Sequence, residues 1–371
     1  MQTFYFKENA VNIGEDICKI APKNVLIITD FSFYEICGAK KWIESFLLQS
    51  TIHYFVDFEP NPKIEDLQKG ILFCQDKNFD LIIAVGGGSV IDMAKLIRIY
   101  INFDENLENA IKNNITSSSQ NSKIPLIAIP TTSGTGSEST HFSVVYVDKK
   151  KYSIADESVL PEYAVIIPEF TYKNSEYLTA CTGADALCQA IESYWSVKST
   201  DESRGYASEA IRLLNTYLPL ALKENREARD KVAYASNLAG RAINISFTTA
   251  AHAYSYGFTS YLKIPHGHAV SLSLPYFFSL NINVTEDNCN DPRGADFLKK
   301  RMSELAALLN CAVEESPQYL KLFFDALFQK NKIDIEIDDD IWHNIVSSVN
   351  IQRLQNNPVK LEAQITKEIL K

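Results

Sequence analysis

Several things are missing from this 371-residue sequence, and each absence excludes something. No run approaches the roughly 20 consecutive apolar residues that span a bilayer, so no membrane helix is expected. No C-x-x-C pair occurs, and the seven cysteines (18, 37, 74, 181, 188, 289 and 311) are scattered and odd in number. Neither a zinc–thiolate site nor a disulfide framework follows from that spacing. An excess of positive charge is missing too: 36 Lys and Arg stand against 46 Asp and Glu, a formal net charge of -10. That sets aside a sequence-independent nucleic-acid binder, which needs a basic face. A small anionic substrate stays open, since a few local cations can hold one. The N-terminal M-Q-T-F-Y-F-K-E-N lacks the basic start and long apolar stretch of a secretory signal. With reduced cysteines, this leads to the expectation of a cytoplasmic protein.

What is present points to a globular protein of two domains. A hydrophobic fraction of 46% argues against disorder, and the length exceeds what one core usually supports. V-L-I-I-T (25–29), I-H-Y-F-V (52–56), L-I-I-A-V (81–85), P-L-I-A-I-P (125–130) and A-V-I-I-P (164–168) read as strands. Continuous apolar runs suit a parallel sheet covered on both faces, and stretches such as Ile64 to Cys74 are long enough for crossover helices. F-S-V-V-Y-V-D and K-Y-S-I-A-D, separated by lysines at 149–151, read as a hairpin. Ser117–Ser122 reads as a polar surface loop. After about Phe170 the periodicity turns helical, as in Ser203 to Tyr217, Asp230 to Ile245 and Gly294 to Asn310. The expected layout is an N-terminal α/β domain with a parallel sheet (1–170) and an all-helical C-terminal domain (171–371), with the site in the cleft between them.

Two sets of residues carry chemistry. Gly86, Gly87, Gly88 and Ser89 follow a strand and open a helix. Glycine lets backbone amides approach a pyrophosphate, and a helix N-terminus favours negative charge. The spacing is not G-x-G-x-x-G, so a phosphate cradle and a plain tight turn both remain open. Ser89 either caps the helix or binds phosphate. Asp30, at the end of the first strand, is a helix cap or an acceptor for a ribose; as the latter it would repel the extra phosphate of NADP. P-T-T-S-G-T-G-S-E (130–138) is a second loop of small donors, able to wrap a nucleotide or simply to connect.

The second set is Asp185, Gln189, His252 and His266. Asp185 and Gln189, four apart, share one helix face. His252 and His266 would lie about 21 Å apart on one continuous helix, too far to share a metal. Pro265 breaks any such helix, so the histidines belong to separate elements that fold back on each other. Two imidazoles, a carboxylate and an amide oxygen suit Zn or Fe(II) with an open position. The same residues also read as a helix cap and ordinary polar side chains.

Taken together, these segments resemble the iron-containing (group III) alcohol dehydrogenase family. Asp30, P-N-P (60–62), G-G-G-S-V-I-D-M-A-K (86–95), P-T-T-S-G-T-G-S-E (130–138), T-G-A-D-A-L (182–187), His252 and I-P-H-G (264–267) occur in family order over most of the chain. The resemblance implies a dinucleotide-binding α/β domain, an all-helical metal domain, NAD(H), a divalent Fe(II) or Zn ion, and a homodimer. It implies that Gly87, Gly88 and Ser89 hold the pyrophosphate. It places Asp30, Asn61, Asp92, Thr131, Thr132, Thr135 and Lys151 at other cofactor positions, and Asp185, His252 and His266 at metal ligands. The chain departs from the family pattern at Gln189, where the family usually has His, and at Tyr256, where it often has a relay His. An amide is a weaker ligand than imidazole, and a tyrosine relays a proton only through a hydroxyl of higher pKa.

D-A-L-C-Q-A-I-E-S-Y-W-S, H-A-Y-S-Y and I-P-H-G-H-A-V-S-L-S-L-P resemble, within that family, the phosphonoacetaldehyde reductases. The implied reaction is NADH-dependent, metal-assisted reduction of phosphonoacetaldehyde to 2-hydroxyethylphosphonate, with Tyr256 or His268 as proton relays. Arg241 and His268 are candidates to bind the anion, beside the plainer readings of a surface arginine and a core-edge histidine. The alternatives are a dehydrogenase for another small aldehyde or polyol, a lyase resembling dehydroquinate synthase, and a non-catalytic NAD-binding protein. Net NADH consumption separates the lyase, and metal content with turnover separates the non-catalytic protein.

Overall fold

The computed structural model describes residues 2–103, 106–116, 124–148, 150–223, 225–333, 337–349, 354–361 and 369. The loop expected at Ser117–Ser122 and Lys149 of the hairpin lie outside them. The chain forms two compact units, Met1–Asn174 and Ser175–Lys371.

The first unit runs β1 (Thr3–Phe6), α1 (Ile13–Ile20), β2 (Asn24–Thr29), α2 (Phe31–Ile36), α3 (Ala39–Glu44), β3 (Thr51–Phe55) and α4 (Ile64–Cys74). It continues β4 (Leu81–Gly86), α5 (Gly88–Tyr100), α6 (Leu107–Lys112), β5 (Leu126–Pro130), β6 (Phe142–Val147), β7 (Lys150–Ala155) and β8 (Tyr163–Ile166). Six strands form one parallel sheet in the order β1-β8-β5-β4-β2-β3, while β6 and β7 make the expected antiparallel hairpin. Strand alternation sends Leu26, Ile28, Ile82 and Ala84 into one core with Leu67, Ile91 and Met93 of the crossover helices. It sends Val25, Ile27, Ile83 and Val85 into another with Ile13, Ile17 and Ile43. Burial on both faces is why these strands read as unbroken apolar runs.

The first strand was not expected from the sequence. T-F-Y-F is four residues long and lies half-exposed at the sheet edge, paired to β8 from Thr3 opposite Tyr163 to Phe6 opposite Ile166. The order of the sheet reverses between β2 and β4: the chain steps from β2 outward to β3, then returns to β4 on the other side. In open parallel sheets such a reversal opens a crevice at the carboxyl ends of the strands. Asp30 follows β2 and the glycines close β4, so both stand at that point.

The second unit is helical: α7 (Glu176–Trp195), α8 (Asp201–Ala221), α9 (Arg226–Ser246), α10 (Ala250–Leu262), α11 (His266–Ile282), α12 (Ala295–Leu309), α13 (Ser316–Leu327) and α14 (Asp339–Ser347). No helix among the described residues is long and apolar enough to cross a membrane. Ser175, Thr200 and Asn225 cap α7, α8 and α9 with their side chains, whereas α10 has no such cap of its own. From Gly183 to Ser196 every residue of α7 and its end is buried, so this helix runs through the core of the unit. Asp185, Gln189 and Glu192 therefore sit where polar groups must be paired or bound. Lys263, in the left-handed region at φ 60°, and Pro265 turn the chain between α10 and α11. His252 and His266 thus come from two separate helices that fold back on one another.

Candidate functional site

In the first unit the two loops named from the sequence pack on each other. The Thr131 amide donates to the Gly86 carbonyl at 3.0 Å, extending the β4–β5 ladder by one residue. A Cβ at Gly88 would stand 2.7 Å from Thr135, and one at Gly87 would stand 3.4 Å from the Thr132 hydroxyl oxygen. At Gly88 a side chain would force Thr135 to shift, whereas at Gly87 it would make an ordinary contact. Gly87 is the N-cap of α5 and offers no side-chain cap; the Val90 amide donates to the Gly87 carbonyl at 3.0 Å, which leaves the Gly88 and Ser89 amides of the first turn for a phosphate. Ser89 does not cap the helix; its hydroxyl accepts from the Asn61 amide at 3.0 Å, and Asn61 itself has φ 63°. Asp30 caps α2 by accepting from the Ser32 and Phe33 amides at 3.1 and 3.4 Å, and it remains exposed beside the switch point.

Asp92, which the resemblance places at a cofactor position, is bonded to the second loop and the hairpin. One of its carboxylate oxygens accepts from the Ser137 hydroxyl at 2.6 Å and the other from the Val144 amide at 3.2 Å. Both oxygens thus serve the chain's own donors. Desolvation raises the Asp92 pKa, against the fields of Lys95 and Lys151. One turn on, Lys95 is fully buried and donates to the carbonyls of Ser137, Thr140 and Phe142 at 2.5, 2.9 and 2.9 Å. Burial lowers its pKa to about 8, opposed by Asp92 and Glu138. The pair ties α5 to the second loop. Lys151 lies half-buried on β7, opposite Tyr146.

In the second unit, Asp185, His252 and His266 converge. One ligand atom from each lies within 4.8 Å of the others. His252 Nε2 is 3.2 Å and His266 Nε2 3.7 Å from the same Asp185 oxygen, Oδ1. Asp185 and His252 are buried, and His266 forms the more open edge. A carboxylate oxygen and two imidazole nitrogens gathered this closely fit a divalent Zn or Fe(II) ion with an open coordination position. Gln189 gives its amide nitrogen to the other Asp185 oxygen at 3.2 Å. Burial opposes a charge on His252, but the carboxylates of Glu192 and Asp185 outweigh it and push its pKa up to about 10. Within this cluster the favoured occupant is positive.

The other candidates are arranged around this centre or away from it. Tyr256 stacks on the His266 ring, with centroids 5.4 Å apart and planes within 5°. The Ser255 hydroxyl lies 3.3 Å from His266 Nδ1. His268 is buried, stacked on Phe328 at 3.7 Å, with Nδ1 3.3 Å from the Tyr177 hydroxyl. Burial lowers its pKa to about 4, which favours the neutral ring. Arg241, on α9, holds its guanidinium 5.9 Å from the Tyr206 ring centre.

Two residues of this centre went unrecognised in the sequence. Glu192, buried on α7, contacts the His252 ring through Nδ1. It lies seven residues after Asp185, two turns along one face, and that spacing was the available signal. Gly267 follows His266 where α11 meets α7, and a Cβ there would stand 1.9 Å from the Cys181 carbonyl oxygen. Nothing in the local sequence announces that approach.

Comparison with known proteins covers both units. The model for iron-containing alcohol dehydrogenase matches residues 2–168. The C-terminal model of the Fe-containing alcohol dehydrogenase family matches residues 179–371. The chain is 34% identical over 265 residues to long-chain-alcohol dehydrogenase 1 of Geobacillus thermodenitrificans (strain NG80-2), over 70% of this chain and 67% of that protein. It is 31% identical to NAD-dependent methanol dehydrogenase of Bacillus methanolicus, over 73% of this chain and 71% of that one. Some curated relatives are much longer, and the chain then spans 33% of their length. Among solved structures, sulfoacetaldehyde reductase from Bifidobacterium kashiwanohense in complex with NAD+ superposes with a TM-score of 0.82 and 28% identity. That match covers 98% of this chain and 94% of the other.

Proposed function

The chain belongs to the iron-containing alcohol dehydrogenase family, and from that membership we propose an NAD(H)-dependent, divalent-metal aldehyde reductase acting on phosphonoacetaldehyde to give 2-hydroxyethylphosphonate. The observation that carries the reading is the gathering of Asp185, His252 and His266 within 4.8 Å inside a helical core. A metal bound there supplies a Lewis acid for the aldehyde or alcohol oxygen, while NAD(H) gives or takes the hydride.

The residues of the chain divide the remaining work. Asp185, His252 and His266 hold the ion, and Gln189 orients the second Asp185 oxygen through its amide, leaving a position open. The half-exposed His266 marks the side from which substrate arrives. Tyr256, stacked on that ring, is the group proposed to hold and pass a proton; His268, neutral and packed under Phe328, steadies the start of α11. In the first unit the α5 amides and the 131–136 loop receive the pyrophosphate. Asp30, exposed at the end of β2, takes the ribose and disfavours a 2′-phosphate.

The substrate rests on two supports. The segments around Gln189, His252 and His266 resemble phosphonoacetaldehyde reductases, and the chain is similar in structure to a sulfoacetaldehyde reductase. Both substrates join an aldehyde to a tetrahedral anion. Arg241 is the proposed cation for the phosphonate. Purified, metal-loaded protein is to be assayed for NADH oxidation with phosphonoacetaldehyde beside propanal and lactaldehyde. Preference for the phosphonate supports the proposal; turnover of neutral aldehydes alone removes the phosphonate and keeps the dehydrogenase. Arg241→Ala should raise the KM for the anionic aldehyde only, and unchanged values for both classes would sink its role. The same reading takes the enzyme as a cytoplasmic homodimer, in keeping with seven free cysteines, and sedimentation of the purified protein tests the dimer.

A further inference from the structure

Glu192 accepts hydrogen bonds with both of its carboxylate oxygens, and the proposed function leaves it without a task. It is fully buried on α7. Its Oε1 accepts from the Thr249 hydroxyl at 2.7 Å, the Ala251 amide at 2.8 Å and the His252 amide at 3.3 Å. Its Oε2 is bonded to His252 Nδ1. The two amides belong to the first turn of α10, the helix whose own N-cap, Thr249, makes no capping bond. The Thr249 hydroxyl instead donates to Glu192 and accepts from Trp195 Nε1 at 2.9 Å. A carboxylate from a neighbouring helix therefore fills the place of the cap, where the helix dipole also favours it.

The same group orients the ring. An imidazole has two different nitrogens, and which one is left to bind a cation depends on the hydrogen bond made by the other. With Nδ1–H donating to Glu192, Nε2 is the nitrogen left on the Asp185 side, 3.2 Å from Oδ1, where a cation would take the place of its proton. Glu192 thus sets the start of α10, the direction of the His252 ring and its tautomer with one side chain. We propose that Glu192 is the positioning residue of the metal centre, pre-setting His252 so that Nε2 is the ligand atom. This rests on the reading of Asp185, His252 and His266 as metal ligands.

The test compares Glu192→Gln, Thr249→Val and His252→Ala by chelator competition for Zn(II), by Co(II) absorption and by thermal melting of the metal-free protein. Gln keeps an oxygen for the α10 amides but presents an amide N–H to Nδ1, which pushes the ring proton to Nε2. Loss of such an outer partner weakens metal binding by about 10–100-fold. The expected pattern is that loss in Glu192→Gln with an altered Co(II) spectrum and a nearly unchanged melt, while Thr249→Val, which removes one donor to Oε1 and leaves the Oε2–Nδ1 bond in place, binds metal like the parent. Glu192→Gln with parental affinity and spectrum would make Glu192 a helix cap only and overturn the proposal. His252→Ala with parental affinity would instead overturn the ligand assignment beneath it. If Glu192→Gln does not fold, long-range proton–nitrogen correlation on the Zn(II)-loaded parent decides: a proton on His252 Nδ1 with metal at Nε2 supports the proposal, and metal at Nδ1 refutes it.

Discussion

Replacing Gly267 by alanine should damage the metal centre without touching a ligand. The new Cβ would stand 1.9 Å from the Cys181 carbonyl oxygen and 2.9 Å from the Asp185 Cβ. Ordinary contact begins at 3.4 Å, so the backbones of α7 and α11 must part by 3.4 − 1.9 = 1.5 Å at this crossing. The obstacle is a backbone carbonyl, which cannot rotate aside as a side chain would. His266 rides on α11 and Asp185 on α7, so the parting moves one ligand away from another. Metal–ligand distances tolerate about 0.2 Å, several times less than this shift. Overpacking costs about 1–3 kcal/mol, and the better helix propensity of alanine returns at most about 1 kcal/mol. For a unit of this size, each 1 kcal/mol lost lowers Tm by about 2–4 °C. Metal affinity should fall by at least the about 10–100-fold that follows loss of an outer-shell partner. Chelator competition and melting with and without metal measure both effects. A Gly267→Ala protein with parental metal affinity and parental melting would refute the claim that this helix crossing sets the ligand spacing.

His252→Ala should lose metal and turnover together while its far-UV dichroism stays helical; full activity in that variant would reject the metal mechanism. Lys95→Met strips the donor from the carbonyls of Ser137, Thr140 and Phe142, and each buried acceptor left unpaired costs about 1–3 kcal/mol. The KM for NADH should rise more than that for the aldehyde, and equal rises would separate Lys95 from the dinucleotide loop. A like-charge contact near the surface costs about 1–4 kcal/mol, so Asp30→Ser should shift the NADPH-to-NADH preference ratio toward NADPH by about fivefold or more relative to the parent. An unchanged cofactor ratio would leave Asp30 as a helix cap alone. Gln189→His adds an imidazole to the cluster and should tighten metal binding in the same competition assay; unchanged affinity would mean that position 189 does not face the ion.

The parallel sheet was legible because β2, β4 and β5 are buried on both faces, which forces apolar runs that stand out from their surroundings. The half-buried edge strand β1 carries no such run and was missed. The separation of His252 and His266 onto two helices followed from rise per residue and Pro265 alone, because those are local facts. The roles of Glu192 and Gly267 depend on which helix lies across α7, and no local pattern encodes that crossing. Ser89, Asp30 and Asp92 show a second limit. One oxygen can cap a helix, bind a neighbouring loop or meet a ligand, and only the packed structure shows that Ser89 serves Asn61 and Asp92 serves Ser137 and Val144. His268 shows a third: its charge depends on burial under Phe328, which lies sixty positions away in the chain.

The central claim is metal-dependent hydride transfer, and one balance sheet of reactants tests it most directly. Metal-free protein is mixed with NADH and phosphonoacetaldehyde, then titrated with Fe(II) or Zn(II), while NADH loss and alcohol formation are followed together. The account predicts no reaction before metal is added. Once Asp185, His252 and His266 are filled, one alcohol should form for each NADH oxidised, and a chelator should stop the reaction. Turnover at full rate without metal, or product formation with no net loss of NADH, would contradict it.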